Sequence, residues 1–201
     1  MKSACRFCLM LALLGAACSP HGFTPAEREL ISTADSLMNV CILPRDSVLL
    51  RAVSSDLGAA ELASPLLQSL IDKMLYTVQD PSQDGVGIAA PQVGLSRRIV
   101  CVQRFDKPGE PFEAYCNIRI DSLSGEPVSG REGCLSVPGL RGMVPRYPSI
   151  VISYVQPGAG PFERVSETVE GFTAVIFQHE CDHLDGILYI DKATELFAVE
   201  E

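Results

Sequence analysis

Gln178-His179-Glu180-Cys181-Asp182-His183 limits what this chain can fold into more than any other stretch. Two imidazoles four residues apart share a face on a helix, where four residues advance about 6 Å and complete just over one turn. A carboxylate directly after the first imidazole then reaches whatever the histidines hold. The flanking residues are apolar, so the helix, expected over 172–184 and ending near Gly186, is buried, with the rest of the fold built around it. The bland reading is a polar helix face with solvated histidines. It is disfavoured because two of the chain's three histidines stand together inside an apolar run.

Two imidazoles leave a metal site open, and a catalytic ion needs a third ligand plus a free position. Cys134 is the candidate, within Gly130-Arg131-Glu132-Gly133-Cys134-Leu135-Ser136-Val137-Pro138-Gly139, where glycines let the backbone come close to a ligand. A lone cysteine is otherwise a small buried hydrophobe. A further segment, Gly85-Val86-Gly87-Ile88-Ala89-Ala90-Pro91-Gln92-Val93-Gly94, sets close glycines beside one uncharged amide. It has neither G-x-G-x-x-G nor a following Lys-Ser/Thr, so it offers no phosphate cradle and by itself reads as a tight loop.

Together, in this order and spacing, the three segments resemble the peptide deformylases, from about Ile42 to Ile190. The resemblance implies metal ligands Cys134, His179 and His183, catalytic Glu180, and oxyanion donors in Gln92 and the backbone of Leu135. Pro44, Asp46, Leu50-Arg51, Arg141 and Arg146 match as well. Ile118 after Asn117 departs from the family, which usually has proline there, at a local turn away from the expected metal ligands. The implied reaction is hydrolysis of the formamide on N-formyl-methionyl peptides, with release of formate. The implied ion is one divalent metal, iron(II) as the most active form, while zinc also suits a thiolate with two imidazoles. Val86, Phe172 and Val175 are candidates for the wall of an apolar side-chain pocket, although core residues look the same. Strand edges near Val86 and Gly133 can pair with a peptide backbone, and Gly87 is a further substrate-binding candidate. Two rivals stand beside this reading. One is a zinc endopeptidase of the His-Glu-x-x-His type; the other is an exported, non-catalytic metal- or peptide-binding lipoprotein that keeps the fold.

Elsewhere, Thr24-Pro25-Ala26-Glu27 reads as a capping box, followed by Leu30, Ile31, Ala34, Leu37 and Met38 at helical spacing. Ser64-Pro65 opens a second helix with Leu66, Leu67, Leu70, Ile71, Met74, Leu75 and Val78 as its buried stripe. Strands are expected at 98–102, 113–120, 150–155 and 164–170, with a hairpin connection at 156–161. Short antiparallel strands around one buried helix make an α+β fold, as the resemblance also implies.

The N-terminus reads differently. Lys2 and Arg6, an apolar run from Phe7 to Leu14, and Gly15-Ala16-Ala17 before Cys18 have the layout of an export leader with a lipoprotein-like end. The expected organisation is a leader over 1–18, an extension helix over 19–39 and a catalytic domain over 40–201. A membrane tether would run through lipid on Cys18; a start at Met38 would instead give a cytoplasmic protein. Without Lys2 and Arg6 the 16 basic residues become 14 against 25 acidic ones, a net charge near −11, which argues against nucleic acid as a partner. Of eight cysteines, Cys41, Cys101, Cys116 and Cys181 remain beyond the leader and Cys134, which permits disulfides. A metal thiolate sits uneasily with an oxidising compartment.

Overall fold

The computed structural model describes residues 22–83, 85–157 and 162–199. The leader expected over 1–18 lies outside them. Helix α1 (Pro25–Thr33) starts at the expected capping box: the Glu27 amide donates to Thr24 Oγ1 at 3.2 Å, and the Thr24 amide to the Glu27 carboxylate at 2.7 Å. It ends sooner than its apolar spacing suggests. The Ala34 backbone is extended, and Lys73 donates to the carbonyls of Ile31 and Ala34, satisfying the end of the helix from outside. Met38 is still buried, on irregular backbone, whereas Leu37 is 41% exposed.

Two short helices, α2 (Ser47–Leu50) and α3 (Ala59–Leu62), lead to α4 (Pro65–Gln79), which Ser64 caps by accepting from the Leu66 amide at 3.3 Å. Leu67, Leu70, Ile71, Met74 and Val78 on α4 are buried, and Leu66 and Leu75 flank that stripe. Phe23 and Ile31 pack into the same core, so α1 is part of its wall.

Strands β1 (Gly87–Ala89), β2 (Ile99–Gln103), β3 (Phe112–Ser124), β6 (Ser149–Val155) and β7 (Arg164–Glu170) form one antiparallel sheet in the order β1-β2-β3-β6-β7. The four expected strands are all here. Part of the 156–161 connection lies outside the described residues, and β6 and β7 on either side pair antiparallel, as a hairpin requires. A second sheet, β4 (Val128–Cys134), β5 (Val137–Arg146) and β8 (Glu195–Ala198), was not foreseen, because its glycines and prolines mask the period-2 signal. At the departure from the family pattern, Asn117 has φ of 52° and residues 117–118 fall between paired positions of β3 and β6. Ile118 fills the core there, and Asn117 bonds both backbone groups of Leu57.

Helix α5 (Gly171–Leu184) crosses the first sheet against β1 and β2, buried on nearly every side. It stops at Gly186, whose φ of 72° and contact with the Arg51 backbone leave no room for a side chain. The short helix α6 (Tyr189–Lys192) returns the chain to β8. Among the described residues all five cysteines are free, and no helix is long and apolar enough to cross a membrane.

Candidate metal centre

Cys134 closes β4, and the two-residue turn Leu135-Ser136 carries the chain into β5, with Cys134 paired to Val137. That turn is fixed from behind: the Leu43 amide donates to the Ser136 carbonyl at 2.9 Å and the Ser136 amide to Cys134 Sγ at 3.4 Å. Across from it, α5 presents His179 and His183 one turn apart. One donor atom from each of Cys134, His179 and His183 lies within 4.8 Å of the others, with Cys134 Sγ 3.2 Å from His183 Nε2.

The imidazole of His179 is oriented by a residue whose role the sequence did not reveal. Its Nδ1 lies 2.9 Å from Glu132 Oε2, which leaves Nε2 to face the thiol. Glu132 in turn takes two hydrogen bonds from Arg146, at 2.7 and 3.0 Å, and Arg146 reaches Asp182 at 2.6 Å. Burial works against ionised Glu132, but Arg146 and His179 outweigh it and bring its pKa down to about 2. Burial likewise opposes charge on Cys134 and His179. The nearby imidazoles nevertheless hold the Cys134 thiol well below its ordinary value, and the thiol and Glu132 hold His179 well above its own. A thiolate and two imidazoles, His183 buried and the other two half-buried, grouped about one point, match the donor chemistry of a divalent ion.

Glu180 is 4% exposed, and burial lifts its carboxyl to about 7. Its Oε2 is buried without a hydrogen-bond partner at the edge of a cavity of about 460 Å³, so the site fits a polar occupant beside the three donors. Gln92 reaches the same cavity from a turn of 3₁₀ helix at Ala90–Val93. Its Oε1 accepts from the Ala89 amide at 2.9 Å, which fixes the flip of the amide. Nε2 then points at Ser136 Oγ, 3.3 Å away, and Cys134 Sγ, 3.6 Å away.

Every expected pocket residue, Val86, Gly87, Gly133, Phe172 and Val175, lines this cavity, together with Leu135. Ile176 and Arg141 line it too. Ile176 could have been found, since it stands three residues before His179 and so on the same helix face. Glu132 and Ser136, which steady His179 and Gln92, had no signal beyond closeness to Cys134.

The polypeptide deformylase family model matches residues 38–198. Peptide deformylase 2 of Bordetella bronchiseptica is 45% identical over 139 residues, covering 66% of this chain and 76% of that protein. The peptide deformylase of Leptospira biflexa is 37% identical over 169 residues, covering 80% and 92%. Among solved structures, the class I type b peptide deformylase from Acinetobacter baumannii with Met-Ala-Ser bound superposes with a TM-score of 0.69 at 36% identity, covering 78% of this chain and 98% of that one. The chain belongs to the polypeptide deformylase family.

Proposed function

We propose that this chain is a metal-dependent peptide deformylase that hydrolyses the formamide of N-formyl-methionyl peptides and releases formate. The observation that carries the reading is the grouping of the Cys134, His179 and His183 donor atoms within 4.8 Å of one another, beside a cavity that Cys134, His179, Glu180 and Gln92 line, in a chain of this family. Cys134, His179 and His183 would hold the ion. When bound, a divalent ion lowers the pKa of water from about 16 toward about 7 and polarises a carbonyl oxygen as a Lewis acid. Iron(II) is the proposed ion, and zinc is compatible with the same donors.

The protein's own groups do the rest. Glu180 takes a proton from the attacking water at its carboxylate and passes it to the departing amine. Gln92 Nε2 and the Leu135 backbone amide stabilise the charge that develops on the formyl oxygen, and losing one such donor costs about 2.7–4 kcal/mol. Val86, Phe172, Val175 and Ile176 receive the methionine side chain. The peptide backbone lies along the strand edges at Gly87 and Gly133. A Met-Ala-Ser peptide bound to the Acinetobacter relative supports that substrate class.

The location belongs to this proposal and rests on sequence alone: an enzyme exported and tethered through lipid on Cys18, acting on formylated peptides outside the cytoplasm. The catalytic reading is tested by formate release from a formyl-Met dipeptide, using anaerobically prepared, iron-loaded protein. Absence of formate at confirmed metal occupancy overturns it.

A further inference from the structure

Phe172 stands at the first turn of α5, lines the cavity and is 56% exposed, so little of α5 itself holds its ring in place. Phe105 supplies the missing support. The two rings meet at 5.3 Å between centroids with planes tilted by 49°, within the range of favourable aromatic pairs. Phe105 also packs against the same apolar cluster as Val86, another residue of the cavity wall.

The backbone that carries Phe105 is fastened on both sides. The Lys107 amide donates to the Arg104 carbonyl at 3.0 Å, closing a turn with Phe105 at its second position. Arg104, 1% exposed, grips Asp106 through Nε and Nη2 at 2.8 and 2.7 Å, so the residues flanking Phe105 are locked to each other. The same guanidinium bonds both carboxylate oxygens of Glu167 on β7 at 2.9 and 3.1 Å and lies 5.7 Å from the Phe177 ring of α5. The turn is thereby tied to the sheet and to the helix that bears Phe172.

We propose that Phe105 is a positioning residue for substrate specificity: seated by the Arg104–Asp106 pair, it fixes Phe172 as one wall of the pocket for the first side chain of the peptide. The inference rests on the deformylase reading for its substrate class. It predicts an effect on side-chain recognition and none on the chemistry at Glu180.

Steady-state formate release from formyl-Met-Ala and formyl-Ala-Ala, with calorimetric binding of Met-Ala-Ser, tests it on the wild type, Phe105→Ala, Phe105→Tyr, Phe172→Ala and the double Ala variant. Phe105→Ala should raise KM for the methionyl substrate about threefold to tenfold, the range an aromatic pair is worth, with kcat within about twofold. KM for the alanyl substrate should stay put. Phe105→Tyr should restore methionine preference, and Phe105→Ala should add nothing once Phe172 is gone. If Phe105→Ala does not fold, Phe105→Leu removes the ring, keeps the bulk and carries the same KM expectation. Equal losses on both peptides, unchanged preference, or additive effects in the double variant would overturn the inference. A wild type that binds Met-Ala-Ser and is weakened by Phe105→Ala, yet releases no formate, would refute the deformylase reading and leave this wall standing.

Discussion

Gly87 lies against the carboxylate of Glu180: a Cβ at that glycine would fall 2.5 Å from Glu180 Oε1 and 3.0 Å from its Cδ. The glycine is there for space, since its φ is not positive. Gly87→Ala must therefore push either β1 or the carboxylate aside. The expected result is a fall in kcat of about 100-fold, the cost of an ångström-scale misplacement, with metal content unchanged by elemental analysis. Wild-type kcat in that variant would mean the carboxylate has room to spare.

Removing the base and removing a ligand should differ in kind. Glu180→Ala leaves all three donors, so metal stays bound while turnover drops by about 10²–10⁴. Cys134→Ala deletes a donor and should lose metal and activity together. Metal quantification beside formate release separates the two, and Glu180→Ala with full turnover would remove Glu180 from the mechanism.

Glu132→Gln weakens the acceptor that orients His179 and leaves Arg146 with only Asp182 as an ionised partner. Metal affinity should fall about 10–100-fold in a chelator competition. The thermal midpoint should also drop, because a buried guanidinium has lost half its counter-charge. An unchanged metal affinity would mean His179 is oriented by packing alone.

Acid should loosen α1 through Glu27. Burial favours its neutral form, but hydrogen bonds from Arg97 at 2.6 and 2.9 Å and from Thr24 prevail and hold its carboxyl below the ordinary 4.5. A folded value lower than the unfolded one means the stabilisation is full above pH 4.5 and is lost as pH falls through the folded value. The gap in thermal midpoint between wild type and Arg97→Met should thus be widest at neutral pH and narrow as pH falls below 4.5. A gap that does not change with pH would show the pair contributes only through packing.

The location proposal is decided by the intact mass of the native protein. A lipid-sized addition on a chain beginning at Cys18 is the expected result; an unmodified Cys18 start gives plain secretion, and a Met38 start ends the export reading. A chain beginning at Met38 would also lack Phe23 and Ile31, both in the core beside Leu70 and Met74, so it should melt well below the longer form.

The parts of the molecule that were legible in advance are those whose chemistry is local. The capping box at Thr24, the stripe on α4 and the one-turn spacing of His179 and His183 each follow from residues within a turn or two of one another. The hairpin that carries Cys134 was not legible as strand, because Gly130, Gly133, Pro138, Gly139, Gly142 and Pro145 erase the alternation that marks one. Glu132 and Arg146, 14 residues apart, are joined only by the pairing of β4 with β5, which no local pattern announces. The pairing of Phe105 with Phe172 is not legible for the same reason: the two rings are 67 positions apart and meet only once β2 and α5 are packed.

Cys134 belongs to the smaller sheet, while His179 and His183 ride on the helix that spans the larger one. An ion held by all three would therefore work as a rivet between the two halves as well as a reagent. Its occupancy would raise unfolding stability with the logarithm of free metal concentration, so that metal starvation would shorten the lifetime of the protein before proteases as well as its turnover.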